Sequence, residues 1–157
     1  MKLKREIVRL FEKQGFVIVS TIDDKGRIHC SAKGIVGIDE GGKVFVIDLY
    51  KYRTYKNLKK NSTVSITAVD ENNFAGFTLQ GDAKIVPREE IEEHIVQEWE
   101  KRIVRRISTR IIKSVQSDAK TRSHFEAELP THPKYLIEID VKNIIDLSPP
   151  NLSGRKS

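Results

Sequence analysis

The chain has 157 residues, 38% of them hydrophobic and 32% charged, which suits one folded domain with its own core and excludes a disordered chain. Its apolar runs, such as Phe16–Val19 and Val44–Ile47, are far too short to cross a bilayer as helices, and Cys30, the only cysteine, rules out an intrachain disulfide. The formal charge of +6 permits nucleic acid, anionic lipid or a phosphorylated small molecule as partner, and with no apolar leader after Lys2 the expected location is cytoplasmic.

Residues 3–14 place Leu3, Ile7, Leu10 and Phe11 on one face of an amphipathic helix, with Gly15 suited to its C-terminal cap. A β-branched strand is expected over 16–22, then a tight turn at Asp23-Asp24-Lys25-Gly26. From Ile28 to Ile38 the even positions are apolar or small, whereas Arg27, His29, Ser31 and Lys33 are polar. Strand alternation separates these two sets onto opposite faces, and it assigns Cys30 to the core with the apolar set. After a turn at Asp39–Gly42, a third strand spans 43–49 and a short helix spans 52–60, ending at Asn61. A fourth strand over 63–69 turns Val64, Ile66 and Ala68 one way. A fifth, over 74–86, turns Phe77, Leu79, Ala83 and Ile85 to the core and Thr78, Gln80, Asp82 and Lys84 away.

Beyond Pro87 a helical region is expected to about residue 115, with Ile91, Ile95, Trp99, Ile103, Ile107 and Ile111 recurring. A strict spacing of four drifts about 40° per step around a helix, so a break near Ser108-Thr109 or burial against more than one surface is expected. Residues 116–134 read as a polar loop, Tyr135 to Val141 as a sixth strand, and 148–157 as a mobile tail. The whole is expected to be one domain over 1–147, with a helical insert at about 88–115. Short strands joined by tight turns favour a closed antiparallel barrel.

The chemistry concentrates between Leu49 and Val69, which hold five basic residues and no acidic one. A helix starting near Arg53 offers free N–H groups and a positive dipole end to an anion, with Arg53, Thr54 and Lys56 around it. Three readings of this segment stay open: a phosphate cradle, a solvated basic helix, or a nucleic-acid surface using the interleaved tyrosines. A second basic cluster, Arg102, Arg105, Arg106, Arg110 and Lys113, offers the nucleic-acid reading another site, although it also complements the dipole of a helix that begins acidic at Glu89, Glu90, Glu92 and Glu93. The histidines His29, His94, His124 and His132 show no metal-type spacing, and no nucleophile elbow or phosphate-binding glycine loop is present. Hard chemistry therefore falls to a cofactor, and no side chain is assigned as catalytic.

Four segments in this order carry a family resemblance: VIVSTIDDKGRIHCSAKGIVGI, GGKVFVIDLYKYRTYKNLKKNSTVSIT, GFTLQGDAKIV and YLIEIDVKNIIDL. Together they resemble the pyridoxamine-phosphate-oxidase-like FMN-binding split barrels. The resemblance implies a mainly β fold with flanking helices, a six-stranded antiparallel Greek-key barrel that pairs into a homodimer with FMN at the interface. It puts Ser31, Ala32 and Lys33 beside the ribityl chain and ring, with Asp48 and Leu49 bordering the ring. Arg53, Thr54, Lys56 and Asn57 fall by the phosphate. Apart from the resemblance, the polar strand faces offer Lys33 and Gln80 to line a space for a small-molecule substrate or reductant. The chain lacks the arginine that the vitamin-synthesising enzymes place near Ser31 and their C-terminal substrate segment. The resemblance therefore implies an oxidoreductase on an unidentified small molecule, or a flavin carrier without turnover. Heme or a deazaflavin replaces FMN in some split barrels.

Overall fold

The computed structural model describes residues 1–117 and 133–150. Helix α1 (Arg5–Lys13) leads into strands β1 (Val17–Ile22), β2 (Ile28–Ile38) and β3 (Lys43–Asp48), then helix α2 (Arg53–Lys60). Strands β4 (Thr63–Asp70) and β5 (Ala75–Pro87), helix α3 (Glu93–Ser117) and strand β6 (Tyr135–Asp146) complete it. The six strands close into an antiparallel barrel in the order β1-β2-β3-β6-β5-β4. Each strand has a neighbour on both sides, although β2 pairs with β3 only from Gly34 to Ile38, so its earlier residues, Ile28 to Lys33, are paired on the β1 side alone.

The barrel is filled by alternate residues of every strand, among them Val19, Ile35, Val46, Ile66, Leu79 and Ile139, all essentially inaccessible to solvent. Ile7 and Phe11 of α1 and Leu58 of α2 join that core, so both helices seal the barrel with their apolar stripes. A second apolar cluster lies outside the barrel wall. There Trp99, with Ile91, Ile95 and Ile103, packs on Val36, Phe45, Ile47, Val86 and Leu136. Helix α3 thus covers the outer face of β2, β3, β5 and β6. It runs unbroken through Ser108-Thr109, contrary to the break that the spacing allowed, and its spacing of four serves this one surface from Ile95 to Ile103. Expectations for Ile107 and Ile111, for 118–132 and for the tail beyond Pro150 lie outside the described residues and side chains.

Two irregularities change the reading of the strands. In β2 the pairing with β3 slips between Ile35 and Gly37. Before the slip the odd positions face inward, and after it Ile38 does. The inward set is therefore His29, Ser31, Lys33 and Ile35, and Cys30 is not in the core: it is exposed, with Sγ 3.3 Å from Ser20 Oγ. The second slip lies between Gln80 and Gly81, which pair with Asn143 and Val141 and leave Lys142 as an extra residue on β6. This bulge lets β6 run on to Asp146 instead of ending at Val141 as expected.

Asp70, ending β4, gathers the loop that follows: Lys13 Nζ donates to it at 2.9 Å, Asn73 Nδ2 at 2.9 Å and the Asn72 N–H at 3.1 Å. The Lys13 ammonium, then the Asn73 amide, hold its carboxyl down at about 2, from an ordinary 3.8. A folded-state value below the unfolded one contributes stability that is complete above 3.8 and lost as pH falls toward 2. Asp70→Asn is expected to be less stable than the parent at neutral pH, the gap closing on acidification. Urea midpoints measured across that range check this, and a gap that does not change with pH would contradict it.

Candidate functional site

The inward polar face of β2 opens onto a cavity of about 530 Å³. It is lined by His29, Ser31 and Lys33 of β2, by Asp48 at the end of β3, by the stretch Leu49–Thr54 entering α2, and by Lys134 just before β6. Three strands and one helix start therefore meet there.

At one end lies the start of α2. The first turn of any helix has N–H groups without intrahelical partners, and the capping position here, Tyr52, supplies no side-chain cap. Arg53 and Thr54 line the cavity at that point. Thr54 is buried and its hydroxyl is 3.0 Å from that of Ser31, which fixes the helix start against β2. Asn57 Nδ2 donates to the buried Thr21 hydroxyl at 3.0 Å, tying the same helix to β1. The tyrosines organise the basic side chains rather than standing apart from them. Arg53 and Lys56 lie over the Tyr52 ring at 5.9 and 5.7 Å, and Lys51 lies over Tyr55 at 5.4 Å. Tyr55 in turn meets the buried Tyr135 edge to face, at 4.9 Å.

At the other end is a buried polar cluster. Lys33 Nζ is 2.7 Å from Asp48 Oδ2, with the two side chains only 11% and 4% exposed. Tyr135 OH donates to the same oxygen at 2.5 Å, and the Tyr50 N–H donates to Oδ1 at 3.2 Å. The Asp48 carbonyl accepts from the Lys134 N–H at 3.1 Å. Burial first, and then the neighbouring carboxylate, push the Tyr135 phenol far above its ordinary value, so it remains a proton donor.

Of the residues singled out from sequence, Ser31, Lys33, Asp48, Leu49, Arg53 and Thr54 come together around this cavity. Ala32 points to the opposite, exposed face of β2. Lys56 and Asn57 sit further along α2, outside the lining, and Gln80 lies exposed on β5, accepting from Asn143 Nδ2 at 2.8 Å. The sequence reading missed His29 and Lys134, and it included Tyr50, Lys51 and Tyr52 only as part of the basic segment, without a place at the cofactor. Strand alternation could have found His29, which shares a face with Ser31 and Lys33. Lys134 carries no local signal, because only the pairing of Asp48 with Tyr135 brings it there. Among the described residues no cluster of His, Cys, Asp or Glu is built to hold a metal, and no helix is long and apolar enough to cross a membrane.

The family model described as pyridoxamine 5'-phosphate oxidase matches residues 3–144. No curated protein sequence matches. Among solved structures, HupZ of Group A Streptococcus superposes with a TM-score of 0.62 at 17% identity, covering 93% of this chain and 94% of its own. HutZ of Vibrio cholerae, described as a heme storage protein, gives 0.54 at 21% identity, with 92% and 94% covered. An F420 reductase gives 0.58 at 16% identity, with 91% and 98% covered. At such identities these likenesses concern the fold.

Proposed function

The chain belongs to the pyridoxamine 5'-phosphate oxidase family, and we propose that it is an FMN-binding flavoprotein that works as an oxidoreductase on a small molecule. The observation that carries the reading is the uncapped start of α2, with Arg53 and Thr54 facing a cavity of about 530 Å³. Free N–H groups, the helix dipole, a guanidinium and a hydroxyl together suit a phosphate monoester. A volume of this size suits a ligand larger than a free phosphate ion. Ser31 and Lys33 continue along the same strand face, about 7 Å apart, giving donors for the rest of an extended ligand. The flavin would supply the redox chemistry. The protein's part is to grip the phosphate, orient the ring and limit water.

A second copy fits the exposed outer face of β1 and β2. There Ile18 pairs with Ala32 and Ile22 with Ile28, and Ile28 is 76% exposed. An apolar patch of this kind favours association, and a homodimer in the cytoplasm completes the reading.

Purified protein is expected to be yellow and to release FMN on denaturation. A colourless protein that takes up no FMN in a titration to about a millimolar would remove the reading. One rival has its own observation. His29 lies half-buried in the cavity, and imidazole is a common iron ligand, so heme is the competing occupant. The absorption spectrum of the reconstituted protein separates the two, since an intense Soret band that is lost in His29→Ala would favour heme.

A further inference from the structure

We propose that Asp48 masks the charge of Lys33, so that the inner half of the cavity offers hydrogen-bond donors without net positive charge. Resting on the flavin reading, this assigns that half to the uncharged, carbonyl-bearing edge of the oxidised ring. Asp48 is then a positioning residue that disfavours a negatively charged ring. The cavity has two chemically distinct ends. At the α2 end Arg53 is exposed and has no carboxylate against it among the described ion pairs, which suits an anion. At the other end Lys33 is far more buried than a lysine commonly is, and its Nζ lies 2.7 Å from Asp48.

The carboxylate is itself held in place. Its Oδ2 takes Lys33 and the Tyr135 hydroxyl, and its Oδ1 takes the Tyr50 N–H. Asp48 therefore has little freedom to swing away when a ligand enters. An ammonium carries three N–H donors. One is directed at Asp48, leaving others for a neutral acceptor in the cavity that Lys33 lines. A full anion in the same place would gain from Lys33 but be repelled by the carboxylate just behind it. The sequence shows Lys33 only as a polar residue on the strand face beside Ser31. The structure gives a neutral pair.

Sulfite reads this directly. Its sulfur lone pair forms a bond to N5 of oxidised flavin and one negative charge passes to the ring, with no oxidant or reductant consumed. Bound flavin bleaches as the adduct forms. In the FMN-loaded protein, Asp48→Asn leaves Lys33 unmasked, and sulfite is expected to bind at least tenfold more tightly than in the parent, about the change that one unit of charge close to the ring produces. The double variant Lys33→Gln/Asp48→Asn should lose that gain. Equal sulfite affinity in parent and Asp48→Asn, bleaching in neither, or a gain that persists in the double variant would overturn the proposal. Should Asp48→Asn not fold, Lys33→Gln leaves the carboxylate alone and must weaken sulfite at least tenfold, no change again being fatal. A chain that retains no FMN fails the flavin reading itself. The masking is then decided by titrating inorganic phosphate into the flavin-free protein. Asp48→Asn must bind it more tightly than both parent and double variant, and equal affinities would overturn the proposal.

Discussion

Arg53→Ala is expected to weaken FMN binding tenfold or more while leaving riboflavin, which lacks the phosphate, nearly unaffected. A charge-assisted hydrogen bond contributes roughly 1.5–3 kcal/mol, and each 1.4 kcal/mol is a factor of about ten. Arg53 is exposed at the cavity rim, so its contribution is screened by salt, and the difference between parent and variant should shrink as ionic strength rises. The substitution also removes the contact of the guanidinium with the Tyr52 ring, 5.9 Å away. That loss acts on the free protein and weighs equally on both flavins. The ratio of FMN to riboflavin affinity therefore isolates the phosphate. Titrations followed by flavin fluorescence give both constants. A variant that loses both ligands equally would show that Arg53 shapes the site without touching the phosphate.

Much of this site could be read along the chain because it is built from local segments. The basic run after β3 suggested a helix start near Arg53, and α2 begins there. Alternation in β2 correctly grouped Ser31 with Lys33, and short strands with tight turns pointed to the closed antiparallel barrel, though not to its strand order. What alternation could not give was which face is inside. The apolar set of β2 looked like core, yet Ile28, Cys30 and Ala32 face outward because the polar set finds partners within: Ser31 with Thr54, and Lys33 with Asp48. A buried polar group is tolerated when it is paired, and these partners lie far along the chain, where no periodicity can reveal them. The clamp on Asp48 is of the same kind, since it needs Tyr135 from β6 across the β3–β6 ladder.

Gly81→Ala is expected to lower the stability of the barrel by about 3 kcal/mol, at the upper end of what overpacking commonly costs. A methyl group built on Gly81 would stand 2.1 Å from the Asp140 carbonyl oxygen and 2.9 Å from its carbon, both of them backbone. A flexible side chain could turn aside, but a strand backbone held on both edges cannot. Residues 139 and 140 pair at once with β3 and with β5, so relief must come from shifting β6 or parting it from β5. Gly81 sits at the bulge where β6 carries Lys142 as an extra residue, and the absent side chain is what lets the two backbones approach there. The sequence displayed this glycine beside Gln80 in mid-strand without saying why it was there. For a chain of this length the loss should appear as a fall in melting temperature of roughly 10 °C. Gly26→Ala is the control. Gly26 has φ +75° but no atom within 4 Å of its would-be Cβ, so it carries backbone strain without a clash and should lose only about 1 kcal/mol. The consequence reaches the site, because β6 begins at Tyr135 and Tyr135 holds Asp48 beside Lys33. Any FMN that remains bound to Gly81→Ala should therefore show altered sulfite affinity as well as lower stability. Equal melting temperatures for the two glycine variants would mean that the close approach of β5 and β6 is not what Gly81 serves.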